Sequence, residues 1–141
     1  MRNPHEVLVA VRRGAEFLVL HRAERFGAYW HLVAGGVEVG ETAADAAARE
    51  LVEEVALDAP LADLGRSFTY PLDEEPEAVR ARFAPDVAEV HVDAFVADAP
   101  AAWEPTLNDE HDEARWCSPD EAEALLYWPE PRDLVRSLVE G

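Results

Sequence analysis

Three glutamates, Glu50, Glu53 and Glu54, lie in a short alanine-rich segment that is predicted to be helical. Because an α-helix turns by about 100° per residue, positions i, i+3 and i+4 share one face, so the three carboxylates crowd together. The crowding indicates either a solvated acidic face, at a cost of about 0.2–0.5 kcal/mol per pair, or a site for a hard divalent cation that prefers carboxylate oxygens. The helix alone favours the solvated face, so the rest of the chain has to decide.

The helix that carries the glutamates is predicted to run from Ala43 to Val55. Thr42 is placed to be its N-cap, and Asp45, three residues later, completes a capping box. Strands are predicted on both sides of it, the first two as a hairpin around Gly14. The predicted strand segments read HEVLVAVRR, EFLVLHR, AYWHLVAGG, LADLGRSFTYP, EVHVDAFVADA and EARWCS.

Two more helices are predicted near the end of the chain. Ser118 and Pro119 are an N-cap followed by proline at the first helical position, which predicts a helix through about Leu126. A last helix is predicted from near Arg132 to Val139, and residues 71–88 read as a Pro- and acid-rich loop. Strands around one helix, with further helices at the end, predict an α+β sandwich around a mixed sheet.

Composition indicates a single globular domain. The chain has 141 residues, enough for one compact core and too few for two ordinary domains, and 49% of them are apolar. No apolar run is long enough to cross a membrane, and charged residues interrupt the first segment, which argues against a signal peptide. Cys117 is the single cysteine, so no internal disulfide can form, which is typical of a cytoplasmic protein.

The net charge of −18 argues against a nucleic-acid polymer as the partner, because such proteins neutralise phosphates with clustered basic residues. A small phosphorylated ligand bridged by a cation remains compatible with this charge. Basic residues are concentrated near the start of the chain, where they could face the acidic helix across a polyphosphate: Arg2, Arg12, Arg13, Arg22 and Arg25.

The spacing of residues around the glutamates decides between the two interpretations. Gly35 is followed after five residues by Glu41, and after seven more by Arg49-Glu50-Leu51-Val52-Glu53-Glu54-Val55-Ala56-Leu57. This pattern resembles the box of the Nudix family, G-x5-E-x7-R-E-U-x-E-E-x-G-U, where U is aliphatic. Every defined position matches except the second glycine, which is replaced by Ala56. So many fixed positions at fixed spacing favour the cation site over the solvated face.

The resemblance implies a Nudix-type α/β/α sandwich around a mixed sheet, with a loop–helix–loop metal site. It implies Mg²⁺ as the cofactor, with Mn²⁺ as an alternative, and hydrolysis of a nucleoside diphosphate linked to another group. Glu50, Glu53 and Glu54 would bind the metal, together with the backbone carbonyl of Ala34. The residues that would support the site are Gly35, Glu41 and Arg49.

Three longer segments are similar to the branch of the family that hydrolyses dATP or dihydroneopterin triphosphate. They are FGAYWHLVAGGVEVGET, ARFAPDVAEVHVDAFV and NDEHDEARWCSPDEAEAL. In that branch an acid followed by histidine adds a carboxylate to the metal site, and here this pair is Glu110 and His111. Without the resemblance Glu110 reads as an exposed charge; with it, Glu110 is a fourth metal ligand or the general base.

The expected reaction releases pyrophosphate and leaves a nucleoside or pterin monophosphate, with Glu53, Glu54 or Glu110 taking the proton of the attacking water. Two alternatives stay open. One is the same chemistry on oxidised nucleotides, dinucleoside polyphosphates or nucleotide sugars, and the other is a module that senses a nucleotide without cleaving it. The sequence leaves open whether the chain is a monomer or a homodimer.

Candidate substrate contacts lie close to the box. Tyr29, Trp30 and Phe83 could stack on a flat purine or pterin ring, although such aromatic residues are more often part of a core. Arg22 and Arg25 could bind phosphates, although solvated arginines beside a loop are common.

Overall fold

A mixed β-sheet runs through the centre of the computed structural model, which describes residues 2–140. The break between the first two strands falls at Gly14 and Ala15, as expected for a hairpin. The segment predicted as one third strand forms two short strands, and the last strand begins at His111, two residues before its predicted segment. The bounds of the strands are β1 (His5–Arg13), β2 (Glu16–Arg22), β3 (Trp30–His31), β4 (Val33–Gly36), β5 (Leu61–Pro71), β6 (Glu89–Asp98) and β7 (His111–Cys117).

The helices are α1 (Ala43–Val55), α2 (Glu77–Arg80), α3 (Pro119–Leu125) and α4 (Pro129–Glu140), with a 3₁₀ turn at Glu24–Phe26. The predicted start of α1 is confirmed: the Asp45 amide donates to the Thr42 hydroxyl, and the Thr42 amide donates to the Asp45 carboxylate, each at 3.1 Å. At the other end Ala56 adopts a left-handed conformation with φ 61° and ψ 40°. This is the conformation that glycine adopts most easily, so Ala56 closes the helix under strain.

The strand order is β3-β2-β1-β6-β5, with β4 also pairing with β1 and β7 with β2. β1 and β6 are parallel, while the other pairs are antiparallel, which confirms the mixed sheet. Paired residues of β1 and β2 are confined to the hairpin end, at Arg12 with Phe17 and Arg13 with Glu16. Beyond that end β1 pairs with β4 and β2 pairs with β7, so the sheet divides into two arms.

Helices cover both faces of the sheet. On one face α1 packs through Leu51 and Val55 against alternate residues of β1 and β6, such as Val9 and Phe95. On the other face α3 and α4 pack against the opposite set, which includes the predicted inward row Val90, Val92, Ala94 and Val96. The α/β/α sandwich and the α+β class expected from the sequence are therefore confirmed.

Two predictions of secondary structure are wrong, one for the start of a helix and one for a loop. Helix α4 begins at Pro129 rather than near Arg132. Amide hydrogens in the first turn of a helix have no hydrogen-bond partner within the helix, so proline, which lacks one, is tolerated there. The segment predicted as a loop between β5 and β6 contains the short helix α2, which follows Pro76. Within residues 2–140, each helix is too short or too polar to cross a lipid bilayer.

Candidate functional site

The side chain of Glu50 on α1 lies directly against Gly35 of β4. Gly35 pairs with Val7 of β1, so its backbone is held in the sheet. A Cβ atom built at Gly35 would overlap the carboxylate of Glu50. Glycine at this position therefore provides the space in which Glu50 lies against the strand.

Arg49 connects the loop before α1 to the glutamates of the helix. Its guanidinium binds Glu41 through two hydrogen bonds, Nε to Oε2 at 2.8 Å and Nη2 to Oε1 at 2.9 Å. It also donates to the carbonyl of Gly36 at 2.9 Å, to Glu50 Oε1 at 2.8 Å and to Glu53 Oε2 at 3.3 Å. The hydrogen bonds from the Arg49 guanidinium lower the pKa of Glu41 to about 2. Arg49 thus holds loop, strand and helix in one arrangement.

Within the described part of the chain, Glu54 is a buried carboxylate without the hydrogen bonds that usually stabilise such a group. It is 1% exposed, and neither of its oxygens has a hydrogen-bond partner among the residues that the structure describes. Burial raises the pKa of Glu54 well above its ordinary value, the neighbouring Glu50 and Glu110 raise it further, and the backbone of Ala34 opposes the shift. Buried unpaired carboxylates are costly, so Glu54 is a group that a cation would stabilise.

Glu110 and His111 reach Glu54 from the opposite arm of the sheet. One possible ligand atom from each of the three residues lies within 4.8 Å of the others. The His111 side chain is fully buried, and its Nε2 lies 3.8 Å from Glu54 Oε1, too far for a hydrogen bond. Burial, followed by the nearby charge of Arg22, lowers the pKa of His111 to about 4, so its ring is neutral at pH 7.

His31 is a half-buried residue of β3, close enough to His111 and Arg22 for both to lower its pKa. Its Nδ1 is inaccessible and has no hydrogen-bond partner in the described part of the chain. Burial lowers the pKa of His31 to about 3, with Arg22 and His111 contributing. Neither His31 nor His111 was singled out as a site residue by sequence reasoning, because their meeting depends on the pairing of β2 with both β3 and β7.

The remaining predicted metal residues border this cluster. Glu53 is on the outer side of α1 with 53% of its side chain exposed, and Ala34 is in β4 beside Gly35. Two buried or half-buried carboxylates on α1 and one on the loop before β7 form an oxygen-rich donor set of the type that Mg²⁺ and Mn²⁺ prefer. The orphaned oxygens of Glu54 show that the residues present fit such an ion.

Of the two predicted phosphate contacts, Arg22 is the last residue of β2 and Arg25 lies in the 3₁₀ turn that follows it. Arg22 donates from Nε to the carbonyl of Phe26 at 3.2 Å and lies over the ring of Tyr29, with 5.6 Å from Cζ to the centroid. Arg25 is 63% exposed and forms an ion pair with Asp109 at 2.5 Å. Arg22 is also close enough to His31 and His111 to lower their pKa, whereas Arg25 already has a carboxylate partner.

The predicted stacking residues have different positions. Tyr29 belongs to an exposed aromatic group with Tyr127 and Trp128, at centroid distances of 5.6 Å and 6.0 Å. Trp30 packs partly against the core, with the guanidinium of Arg115 at 5.0 Å from its ring.

Phe83 is 3% exposed within the core on the α3 and α4 face, which leaves no open ring face for a ligand. We therefore do not retain it as a substrate contact. Tyr127 and Trp128 were not predicted at the site, because they reach Tyr29 only through the bridge between Trp30 and Leu126.

Comparison with known proteins supports the family resemblance described from the sequence. The model of the NUDIX domain matches residues 2–138. Two curated relatives are an octanoyltransferase of Myxococcus xanthus, 33% identical over 78% of this chain, and an RNA pyrophosphohydrolase of Erythrobacter litoralis, 29% identical over 95% of this chain. The matched segments span 29% of the first relative and 85% of the second.

A solved structure agrees over nearly the whole chain. The dihydroneopterin triphosphate pyrophosphohydrolase of E. coli superposes with a TM-score of 0.86 at 28% identity, covering 99% of this chain and 97% of that one. The resemblance to the Nudix family is confirmed, and with it the class of enzyme, a hydrolase of phosphoanhydride bonds. With this match over residues 2–138, and with Glu50 of the box beside the buried Glu54, the chain belongs to the Nudix family.

Proposed function

We propose that this chain is a Mg²⁺-dependent pyrophosphohydrolase that converts a nucleoside or pterin triphosphate to the monophosphate and pyrophosphate. The observation that carries the proposal is the buried Glu54, whose unpartnered oxygens face Glu110 and whose pKa is raised by burial and by the adjacent carboxylates. Such a group is compensated when a divalent cation binds it. Similarity to the E. coli dihydroneopterin triphosphate pyrophosphohydrolase over 97% of that chain supports the substrate class.

The cation would be held by Glu50, Glu53, Glu54 and Glu110, with the backbone carbonyl of Ala34 as a further ligand. Mn²⁺ is expected to substitute for Mg²⁺, because both prefer oxygen ligands. When bound, the ion neutralises phosphate oxygens and makes a water molecule more acidic, which phosphoanhydride hydrolysis requires.

The other residues orient and protect this arrangement. Arg49, fixed by Glu41 and Gly36, holds Glu50 by a hydrogen bond of 2.8 Å, so the ligand cannot turn away when the site is empty of substrate. The neutral ring of His111 lies beside the buried Glu54, with its Nε2 3.8 Å from Glu54 Oε1. The general base is one of Glu53, Glu54 and Glu110, which accepts the proton of the attacking water as the phosphoanhydride bond breaks.

The flat ring of the substrate would stack on Tyr29 together with Tyr127 and Trp128. These side chains form an exposed aromatic surface, with Tyr127 61% exposed and Trp128 36% exposed. Arg22 lies over Tyr29 and lowers the pKa of both His31 and the buried His111, so it is close to both groups and can contact the phosphate chain. Trp30 contributes to the pocket wall, and Arg25 can bind a phosphate only by exchanging Asp109 for it.

Hydrolysis of triphosphorylated RNA ends is a second candidate, favoured by the 29% identical RNA pyrophosphohydrolase of Erythrobacter litoralis. The net charge of −18 opposes it, because a polymer brings further phosphates that this surface would repel.

The test incubates the protein and Mg²⁺ with dihydroneopterin triphosphate, dATP, other nucleoside triphosphates, 8-oxo-dGTP, a dinucleoside polyphosphate, ADP-ribose and a 5′-triphosphorylated RNA oligonucleotide. Chromatography identifies the products, and Glu54→Gln is the matched control because it keeps the size of the side chain. We expect dihydroneopterin triphosphate or dATP to yield monophosphate and pyrophosphate at the highest kcat/KM, with activity lost in the variant.

Three results would overturn parts of the proposal. Preferred cleavage of the RNA end would replace the substrate, and preferred cleavage of another small molecule would do the same while keeping the chemistry. Tight binding of one compound without turnover would identify a sensor. Replacing Glu53, Glu54 and Glu110 singly by Gln identifies the base as the residue whose loss lowers kcat while Mg²⁺ binding persists.

A further inference from the structure

A second group of metal-ligating side chains lies at one end of the central parallel strand pair and shares no residue with the glutamate cluster. His5 of β1 and His91 of β6 both turn Nε2 toward Asp93 of β6. The distances are 2.7 Å from His5 Nε2 to Asp93 Oδ2 and 3.1 Å from His91 Nε2 to Asp93 Oδ1. The two imidazole rings have centroids 5.3 Å apart and planes inclined at 63°.

The sheet register places these three residues together. In the parallel pairing His5 lies beside His91, and Asp93 lies beside Val7. Residues two apart on a strand share a face, so all three are on the face that carries Val7 and Phe95. β1 is paired on both sides, by β4 and β6, and β6 is paired by β1 and β5. The donors are therefore mounted on rigid strands.

We propose that His5, His91 and Asp93 form a second metal site, for a transition-metal ion of the Zn²⁺ class rather than for Mg²⁺. One ligand atom from each residue lies within 4.8 Å of the others. Tetrahedral Zn²⁺, with bonds of about 2.0–2.1 Å, needs ligand atoms about 3.3 Å apart, which small side-chain rotations reach from the observed positions. Two imidazole nitrogens select a borderline ion, because Mg²⁺ is bound by oxygen ligands.

The surroundings leave room for the ion and do not compete for Asp93. His5 has 32% of its side chain exposed, His91 48% and Asp93 27%, so one side of the group is open to water. The neighbouring positions of β5 on the same face are Ser67, paired with Asp93, and Thr69, paired with His91. Neither brings a positive charge, and the overall charge of −18 attracts cations.

In the absence of metal, the carboxylate accepts a hydrogen bond from each Nε2, which requires a proton on both nitrogens. A metal ion replaces these protons and leaves the fourth coordination position to water. His5 on β1 is 86 or more positions away along the chain from His91 and Asp93 on β6, so the ion would also join the two strands. Zn²⁺ is therefore expected to raise the temperature of unfolding.

The test measures Zn²⁺ binding to the full chain by isothermal titration calorimetry in an excess of Mg²⁺, which occupies the glutamate cluster. We expect one Zn²⁺ site, weakened more than about tenfold by His91→Gln and by Asp93→Asn. Glu54→Gln leaves this site in place, because it alters only the other cluster. His21→Gln is the matched control: His21 also binds a carboxylate, Asp112, at 2.7 Å, yet belongs to no cluster of three possible ligands among the described residues.

A second measurement uses the unaltered protein, so it tests the site even if a variant fails to fold. Titration with Zn²⁺ is expected to shift the imidazole nuclear magnetic resonance signals of His5 and His91 together, while those of His21 stay unchanged. The proposal is overturned if Zn²⁺ binding disappears in Glu54→Gln, if it is unchanged in both His91→Gln and Asp93→Asn, or if the His5 and His91 signals do not move.

Discussion

The carboxylate of Glu50 occupies the space in which a side chain at position 35 would have to lie, because Gly35 has no Cβ atom. The first glycine of the box thus has a steric role. It allows a charged residue of α1 to approach strand β4 more closely than any other amino acid would permit. Arg49 then holds the same carboxylate from the other side at 2.8 Å.

Gly35→Ala is expected to displace Glu50 and weaken Mg²⁺ binding by about 10–100-fold, because the new methyl group would overlap the carboxylate. Calorimetric titration with Mg²⁺ measures this. Gly36→Ala is the control, since a Cβ there would meet only the flexible side chain of Arg2 at 3.4 Å or more. Equal Mg²⁺ affinity in the two variants would contradict the steric role of Gly35.

Arg49→Lys is expected to reduce kcat/KM by about 10–100-fold although the positive charge remains, because an ammonium cannot bind Glu41 through two parallel bonds while holding Glu50 and Gly36. Arg12→Lys is the control. Arg12 also binds a carboxylate twice, that of Asp98 at 2.7 and 3.2 Å, but at an exposed position outside the cluster. Comparable losses of activity in both variants would show that the effect is not specific to the site.

Binding of Mg²⁺ is expected to release protons and to strengthen as pH rises. Burial, with Glu50 and Glu110, raises the pKa of Glu54, so the metal-free folded protein keeps this carboxyl proton to a higher pH than an ordinary glutamate does, and a bound ion must displace it. The same shift stabilises the metal-free fold at low pH, and this contribution is lost as pH rises from the ordinary carboxyl pKa through the raised value.

Titration calorimetry of Mg²⁺ in two buffers that differ in ionisation enthalpy measures the released protons. The difference between the buffers is expected to vanish in Glu54→Gln and to persist in Glu53→Gln, whose side chain is half exposed. Identical heats in both buffers for the unaltered protein would refute the prediction.

The folded state is expected to lose stability as pH falls below about 6.5, the pKa of histidine in an unfolded chain. Burial lowers the pKa to about 3 for His31 and to about 4 for His111, so only the unfolded state takes up these protons between pH 6.5 and 4. Since the unfolded state then binds more protons, stability decreases on acidification.

Urea unfolding at pH 7 and at pH 5 measures this dependence. His31→Gln is expected to reduce the difference between the two pH values, because glutamine does not titrate. His91→Gln, at a residue with 48% of its side chain exposed, serves as the control with a chelator present. An unchanged pH difference in His31→Gln would show that His31 does not contribute.

Ala56→Gly is expected to stabilise the protein by about 1 kcal/mol, because the left-handed conformation at φ 61° costs a residue with a Cβ atom about that much. The same substitution at Ala48, an exposed position in the middle of α1, is expected to destabilise it by about 1 kcal/mol. Thermal unfolding compares the two. A loss of stability in Ala56→Gly would mean that the greater freedom of glycine in the unfolded chain outweighs the relief of strain.

Features set by neighbouring residues were predictable. The bounds of α1 follow from Thr42, Asp45 and the alanine-rich run, and the inward row of β6 follows from strict alternation. The start of α4 was predicted wrongly, because Pro129 and Pro131 were interpreted as helix breakers. Proline breaks a helix only in its interior, and both prolines lie in the first turn, where it is tolerated. Of the contacts between residues far apart in the chain, only the position of Glu110 near the glutamates of α1 was predicted, and that prediction came from the family resemblance.

The sequence by itself determined that Glu50, Glu53 and Glu54 share one face of a helix and that Arg49 and Glu41 stand at the distances of the Nudix box, because helical periodicity depends only on spacing. Tertiary structure alone decided that Glu54 is buried, that His111 lies beside it, and that Tyr127 and Trp128 lie beside Tyr29. These relationships depend on the register of β2 with β3 and β7, where one residue of slip would turn every side chain to the opposite face.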